Sequence, residues 1–255
     1  MATFEDRQHG RVLRIAGSAE ELLRAMAEAI AQRAQDALRQ QERFTLVLSG
    51  GSTPRALYTL LAGEYREPVD WGRVHLFWGD ERFVPHDHPA SNYRMARETL
   101  IEPLDIPVAN VHPIPTDDAD PARCAERYEQ HLRQTFGGFP RFDLVLLGMG
   151  ADGHTASLFP ESRAVAEHER WVTVGEAPVE PRIRLTLTLP VLNAARGVFF
   201  LVTGSDKAEA VRRILLEGQP LPAGLVQPEG GELMWWLDRA ATEGISMRVL
   251  EEDED

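Results

Sequence analysis

The sequence is poor in cysteine, since Cys124 is the only one among its 255 residues. One thiol cannot form an internal disulfide framework or a zinc site built from several thiolates, and it fits a reducing compartment. The chain also lacks positive charge: its formal net charge at pH 7 is −13, and the last five residues read EEDED. This charge disfavours nucleic acid and anionic membranes as partners, so an anionic ligand needs a local cluster of basic side chains.

Long hydrophobic runs are absent as well. No stretch approaches the roughly 20 apolar residues of a membrane span, and the first residues, MATFEDRQHGRV, lack the basic and apolar segments of a secretion signal. We therefore expect a cytoplasmic protein. With 43% hydrophobic and 26% charged residues, the composition is that of a globular chain. We expect one domain over residues 1–250 and an acidic tail at 251–255.

Helical and strand-like segments alternate along the chain. Ser18 begins a capping box, and apolar residues at helical spacing follow it to about Arg39. Further helix start signals stand at Pro54, Ser91, Asp120 and Ser205. Between the helices, apolar runs predict buried strands at 44–48, 74–78, 142–147 and 198–202. This order predicts an α/β fold, Rossmann-like, with a predominantly parallel sheet flanked by helices.

A glycine-rich turn follows the first of these strands. In SGGSTP, the residues between the strand and the helix are Gly50, Gly51, Ser52 and Thr53. Glycine lets backbone amides approach an anion, and a helix N-terminus adds unpaired N–H groups. The segment therefore predicts a phosphate-binding turn. A tight strand-to-helix turn capped by Thr53 is the alternative.

A second glycine-rich segment, GMGADGHTASLFP, has the spacing of a dinucleotide-binding turn at Gly148, Gly150 and Gly153. Asp152 argues against a dinucleotide, because it would place negative charge among the amides that bind pyrophosphate. Pro160 also limits any following helix to about two turns. Histidine can move a proton at neutral pH, so His154 is a candidate base at the carboxyl edge of the sheet. A structural, hydrogen-bonding histidine is the alternative.

Charged residues also follow the strand at 74–78. In WGDERFVP, adjacent side chains of an extended segment point to opposite faces, so we expect Asp80 and Arg82 to face the site and Glu81 to face away. A salt-bridged loop is the alternative. His86 and His88 come next, but two histidines without a further ligand pattern do not predict a metal site.

Three more basic residues are candidates for binding an anion. In PRIRLTLTLP, Arg182 and Arg184 alternate with apolar residues, which predicts a strand with one apolar face and one face that has both arginines. Arginine binds phosphate or an oxyanion that develops during a reaction. Lys207 stands in another strand-to-helix loop and can bring a second charge to the same anion. Solvated cations are the alternative.

Taken together, these segments resemble the 6-phosphogluconolactonases in sequence and in order. The matching segments are SGGSTP, WGDERFVP with SNYRMA, GMGADGHTASLFP, RLTLTLPVLNAAR and PAGLVQPEGGELMWWLDRAA, within residues 46–241. The resemblance implies the fold of glucosamine-6-phosphate deaminases and ribose-5-phosphate isomerases, and hydrolysis of 6-phosphogluconolactone in the oxidative pentose phosphate pathway. It assigns His154 as the catalytic histidine and Asp152 as its neighbour. It places Arg82 and Arg184 in the pocket, and the phosphate at Gly50, Gly51, Ser52 and Lys207, while Arg182 has no counterpart.

Two related functions are alternatives. The deaminases have an acidic residue after the histidine loop, roughly AFNEP, whereas this chain reads ASLFP and supplies no carboxylate there. Sugar-phosphate sensor domains share the architecture, but this chain has no appended helix-turn-helix and is too acidic for DNA.

The expected reaction uses protein groups and water, with no cofactor, metal or covalent intermediate. The 50–53 turn and Lys207 hold the phosphate, and neutral His154 takes a proton from the water that attacks the lactone carbonyl. Arg184 or Arg82, with amides near Gly150, stabilises the oxyanion. Protonated His154 then donates to the departing ring oxygen. We expect a monomer or homodimer with a small-molecule partner.

Overall fold

The computed structural model describes residues 1–6 and 9–245, so the acidic tail predicted at 251–255 lies outside the described residues. The strands are β1 (Ala2–Asp6), β2 (Arg11–Ala16), β3 (Phe44–Leu48), β4 (Val74–Trp78), β5 (Asp80–Arg82), β6 (Val111–His112), β7 (Leu144–Leu147), β8 (Val172–Glu176), β9 (Ile183–Leu187), β10 (Gly197–Val202) and β11 (Glu232–Asp238). The α-helices are α1 (Ala19–Leu38), α2 (Ser52–Glu64), α3 (Asn92–Ala96), α4 (Pro121–Phe136), α5 (Leu189–Asn193) and α6 (Ala208–Leu215).

The larger sheet has the strand order β1-β2-β11-β10-β7-β3-β4-β6. Adjacent strands of this sheet are parallel, except for β1 and β2, which are antiparallel. The central strands β3, β7 and β10 are buried along their whole length, which requires both faces of the sheet to be covered. The predicted α/β fold with a predominantly parallel sheet flanked by helices is therefore confirmed.

The helices begin close to the predicted start signals. Ser18, Ser91 and Asp120 each accept a hydrogen bond from a backbone N–H in the first turn of α1, α3 and α4. The helix α2 differs, because it begins at Ser52 with Gly51 as the N-cap and has no side-chain cap. Thr53 lies inside its first turn, so the interpretation of Thr53 as the cap is wrong.

A smaller antiparallel sheet, in the order β5-β9-β8, adjoins the carboxyl end of β4. The backbone N–H of Leu187 joins the two sheets by donating to the carbonyl of Gly79, at 2.8 Å. Residues 151–165, between β7 and β8, form turns. No helix forms between the glycine-rich segment and Pro160, whereas a dinucleotide-binding turn would open a helix there. Within the described part of the chain, no helix is long and apolar enough to cross a membrane.

Candidate active site

The predicted site residues converge at the carboxyl edge of the larger sheet. Loops that follow β3, β7 and β10 meet Asp80 and the strands of the smaller sheet around an open cavity of about 390 Å³. All of the predicted site residues except Asp152 and Arg182 line this cavity, namely Gly50, Gly51, Ser52, Thr53, Asp80, Arg82, Gly150, His154, Arg184 and Lys207. The volume falls in the range of small-molecule sites.

The turn after β3 presents the N-terminus of α2 to the cavity. Gly51 has a φ of +113°, a conformation that favours glycine. Gly50 is packed so closely that a Cβ on it would lie 1.9 Å from Oδ1 of Asn92. Because no side chain caps α2, its first amides are available to an anion.

Lys207 follows β10 and lies beside this turn. The hydroxyls of Thr53 and Thr203 are 3.0 Å apart and join the loops that follow β3 and β10. The amino group of Lys207 is 2.8 Å from a carboxylate oxygen of Asp206, and its side chain is 23% exposed. Lys207 is also the only lysine in the chain, all other basic residues being arginine or histidine.

His154 is held by three contacts in the loop after β7. Its Nδ1 lies 2.6 Å from Oδ1 of Asp152, and its ring centroid is 4.4 Å from that of Phe159. A Cβ on Gly150 would lie 2.1 Å from Nδ1 of His154, so only glycine leaves room for the imidazole here. Among the described residues, none forms a hydrogen bond with Nε2 of His154.

Asp152 determines which nitrogen of the neutral His154 ring carries the proton. Partial burial raises the pKa of Asp152, but hydrogen bonds from the backbone and ring of His154 outweigh burial and hold that pKa below its ordinary value. The carboxylate therefore accepts the proton on Nδ1, and the neutral ring has its lone pair on Nε2.

Arg82 and Arg184 form a cross-strand pair. Their Cα atoms are partners in the antiparallel pairing of β5 with β9. Arg82 donates from Nη1 to the carbonyl of Ala90, and Arg184 from Nε to the carbonyl of Pro181. Burial and the charge of Arg82 lower the pKa of Arg184. Within the described ranges, neither arginine forms an ion pair with a carboxylate, so the alternative of a salt-bridged loop is wrong here.

Asp80 and Glu81 point in different directions, as the alternation of an extended segment predicts. Asp80 lines the cavity. Glu81 is only 1% exposed and accepts hydrogen bonds from Ser91 and from the backbone of Asn92 and Tyr93 at the start of α3. Its role is therefore to hold α3 against β5.

Arg182 was predicted to share a strand face with Arg184, and the structure contradicts this. It precedes β9, pairs with Glu176 at 2.7 Å, and does not line the cavity. Both side chains of this pair are more than half exposed, so Arg182 forms a surface ion pair and is not a residue of the pocket.

The two histidines after β5 bond to the protein itself. Nε2 of His86 lies 2.8 Å from the carbonyl of Ile114, and Nδ1 of His88 accepts from the backbone of Ala90. In the described portions of the chain, no three histidine, cysteine, aspartate or glutamate side chains are placed to share a metal ion.

Sequence reasoning missed several residues of the cavity. The cavity is also lined by Asn92, Thr203 and Phe159. Asn92 and Thr203 contact segments distant in sequence, those of Asp80 and Thr53, and Phe159 lies in the turn after His154. No local pattern marks Asn92 or Thr203. Lys207 is the one lysine of the chain, which is a sequence signal that could have singled it out.

A family model described as "Glucosamine-6-phosphate isomerases/6-phosphogluconolactonase" matches residues 17–235. The chain belongs to this family. It is 46% identical over 223 residues to a 6-phosphogluconolactonase of Synechocystis, covering 85% of this chain and 90% of that protein. It is 44% identical to the human 6-phosphogluconolactonase, covering 90% and 92% of the two chains. The solved structure of the 6-phosphogluconolactonase from Trypanosoma brucei superposes with a TM-score of 0.82 at 34% identity, covering 92% of this chain and 98% of that one.

Proposed function

We propose that this protein is a carboxylic ester hydrolase that converts 6-phospho-D-glucono-1,5-lactone to 6-phospho-D-gluconate in the oxidative pentose phosphate pathway. The relatives that bear the name 6-phosphogluconolactonase are 46% and 44% identical to this chain over most of its length. The cavity adds independent support, because it combines a cationic end, a histidine with a free nitrogen, and an arginine pair of which Arg184 is buried.

The phosphate binds at the end formed by the start of α2 and Lys207. The first amides of α2, after Gly51, supply donors and the favourable end of a helix dipole. Lys207 supplies a full charge next to them. A phosphate dianion that binds there competes with Asp206 for Lys207. Because Asp206 is exposed, breaking its ion pair with the lysine costs little free energy.

The observation that best supports the chemistry is the 2.6 Å contact between Asp152 and Nδ1 of His154. Because Nδ1 is the donor in this contact, Nε2 is the atom that accepts a proton. A water molecule beside Nε2 loses its proton to the ring as its oxygen attacks the lactone carbonyl. The resulting imidazolium is stabilised by Asp152 and returns the proton to the ring oxygen as the C1–O bond breaks.

The arginine pair stabilises the oxyanion of this step. Arg184 is held rigidly on β9 and is only 7% exposed, which suits a donor that must be in place before negative charge develops. Arg82 lies across the strand pair from it. The backbone N–H of Gly150 already donates to the carbonyl of His154, at 2.9 Å, so the two arginines are the oxyanion donors of this proposal.

Deamination of an amino sugar phosphate fits the same loop less well. That reaction needs an additional acid after the histidine. In this chain Ser157 and Leu158 are buried, and the ring of Phe159 packs at a tilt against that of His154. Their side chains have no acidic group, so the loop supports water attack and not the proton transfers of a deaminase.

The remaining parts of the proposal rest on the sequence. A net charge of −13 favours a small-molecule substrate over nucleic acid or a membrane surface as partner. We propose action in the cytoplasm as a monomer or homodimer.

The proposal is tested by incubating the purified protein with freshly prepared 6-phosphoglucono-δ-lactone and following 6-phosphogluconate above the spontaneous rate. We expect hydrolysis without added metal or nucleotide, and no ammonia from glucosamine 6-phosphate. Ammonia release, or hydrolysis that EDTA abolishes and a divalent metal restores, contradicts the proposal.

A further inference from the structure

Ser157, three residues after His154, is attached to two neighbouring strands of the smaller sheet, β5 and β9. Its side chain is 1% exposed and donates from Oγ to Oδ2 of Asp80, on β5, at 2.6 Å. Its backbone N–H donates to Oγ1 of Thr186, on β9, at 3.3 Å. The histidine loop is therefore bonded to the two strands that contain the arginines.

Asp80 is fully engaged by the protein although it lines the cavity. It is 7% exposed, and its Oδ1 lies 3.3 Å from the amide nitrogen of Asn92, which also donates to the backbone carbonyl of Asp80 at 2.9 Å. The other face of the Asn92 amide packs against Gly50. Asp80 thus touches the histidine loop directly and the phosphate turn through Asn92.

The register of the strands makes this contact relevant to the reaction. Asp80 pairs with Thr186, and Arg82 pairs with Arg184, two residues along the same strands. The bonds of Ser157 to Asp80 and Thr186 consequently set where the histidine loop sits relative to the arginine pair. The distance between a base and an oxyanion donor is a quantity to which a reaction rate is sensitive.

We propose that Asp80 and Ser157 form a positioning pair that sets His154 relative to Arg82 and Arg184. This inference rests on the proposed lactonase function and assigns a role to Asp80, which the sequence predicts only to face the site. Asp80 is a positioning residue, and its carboxylate is occupied by Ser157 and Asn92 and not by the sugar.

The matched test compares Ser157→Ala with Thr45→Val. Thr45 is also buried, at 3% exposure, and its hydroxyl also donates to a buried carboxylate, that of Asp143, at 2.7 Å. Thr45 lies near the start of β3 and does not line the cavity. Both variants delete a buried hydroxyl-to-carboxylate bond, and Thr45→Val also deletes the bond that this hydroxyl accepts from the backbone N–H of Asp143, but only Ser157→Ala loosens the histidine loop.

We expect both variants to lower the melting temperature, and only Ser157→Ala to lower kcat, by about 10-fold, with KM within about 2-fold of the wild-type value. Unchanged kcat in a folded Ser157→Ala protein overturns the proposal, and so does an equal loss of kcat in Thr45→Val. Absence of lactonase activity in the wild-type protein overturns the proposed function instead, so the two failures are distinguishable.

A double-mutant cycle separates positioning from substrate binding by Asp80. If the pair acts as a unit, Asp80→Ala lowers kcat, and adding Ser157→Ala to it lowers kcat no further. If Asp80 binds the sugar, Asp80→Ala raises KM and the two substitutions act independently on kcat, which contradicts the proposal.

Discussion

The cations at the two ends of the cavity differ in how exposed they are and in what they are bonded to. Lys207 lies on a loop, is partly exposed and is already paired with Asp206. Arg184 lies on a strand, is 7% exposed, and is bonded through Nε to a backbone carbonyl. Its nearest charged neighbours include a second arginine, Arg82, as well as Asp80 and Glu81.

This difference indicates what each end binds. A lysine that exchanges one exposed partner for another suits a phosphate that arrives charged from solvent. A buried guanidinium that a backbone hydrogen bond already holds in place is suited to stabilise negative charge that exists only during the reaction. Such a guanidinium does not have to move when that charge appears. The two ends should consequently give opposite kinetic effects when they are altered, Lys207 on KM and Arg184 on kcat.

The largest of these effects is expected for Arg184→Gln. Because the substitution removes an oxyanion donor, kcat should fall by about 10²–10³ while KM stays within a few-fold. Steady-state kinetics with the lactone measures both. Arg182→Gln is the matched control, since Arg182 lies two residues away on the surface and pairs with Glu176, and its kcat should be unchanged. A large rise in KM without loss of kcat would mean that Arg184 holds the phosphate.

A smaller effect, on KM, is expected for Lys207→Ala. Loss of a charge-assisted contact should raise KM roughly 10- to 150-fold and remove the preference for phosphorylated over unphosphorylated lactone. Apart from Lys207, the only other primary amine of the chain is the α-amino group of Met1, which pairs with Glu21 and does not line the cavity. An amine-selective acylating reagent should therefore have the same effect on the wild-type protein, and inorganic phosphate should protect against it. An unchanged preference in the variant would exclude Lys207 from phosphate binding.

Asp206→Asn probes the same end with a smaller expected change. Removing the carboxylate that competes for Lys207 should lower KM for the phosphorylated lactone by up to about 5-fold, the range of an exposed ion pair. The KM of the unphosphorylated lactone is the internal control and should not change. A rise in KM would show that Asp206 helps to orient the lysine.

The smallest effect on activity is expected in a third region, away from both ends. Nδ1 of His75 lies 3.0 Å from Nε2 of His112, and Nδ1 of His112 lies 2.8 Å from Nε2 of His131. Burial and the nearby His131, His75 and Arg43 lower the pKa of His112 to about 4. An unfolded histidine titrates near 6.5, so unfolding takes up a proton between these two values. The free energy of unfolding should therefore decrease as pH falls from about 6.5 to about 4.

Denaturant titrations across that pH range check this expectation. His112→Gln should flatten part of the decrease and leave kcat at neutral pH within about 2-fold of wild type. His168→Gln, at an exposed position between β7 and β8, should leave the decrease as it is. Equal slopes in the wild type and in His112→Gln would contradict the assignment.

Local sequence patterns predicted much of the fold, because the features concerned are local in origin. The buried strands at 44–48 and 74–78 correspond to β3 and β4, since uniformly apolar runs with β-branched residues fit a sheet covered on both faces. The caps at Ser18, Ser91 and Asp120 are formed as predicted, because a cap depends on residues within one turn of the helix.

The parts of the site that sequence reasoning missed depend on contacts between distant segments. The bond from Ser157 to Asp80 spans 77 residues, and the contact of Thr53 with Thr203 spans 150. Arg182 was predicted to share a strand face with Arg184 because the alternation was extended to the residue before β9, where the side chain pairs with Glu176 instead. Contacts with residues distant in sequence decide whether such side chains reach the site. The spacing of residues along the chain does not show these contacts.

The central claim is that His154 is the base that activates water. The measurement that tests it most directly is kcat of His154→Ala with 6-phosphoglucono-δ-lactone, corrected for spontaneous hydrolysis and made on protein whose circular dichroism matches the wild type. We expect kcat to fall by about 10²–10⁴ with KM within a few-fold, because the substitution removes the proton acceptor and leaves Lys207 and the arginine pair in place. A His154→Ala protein that retains wild-type kcat would contradict the account.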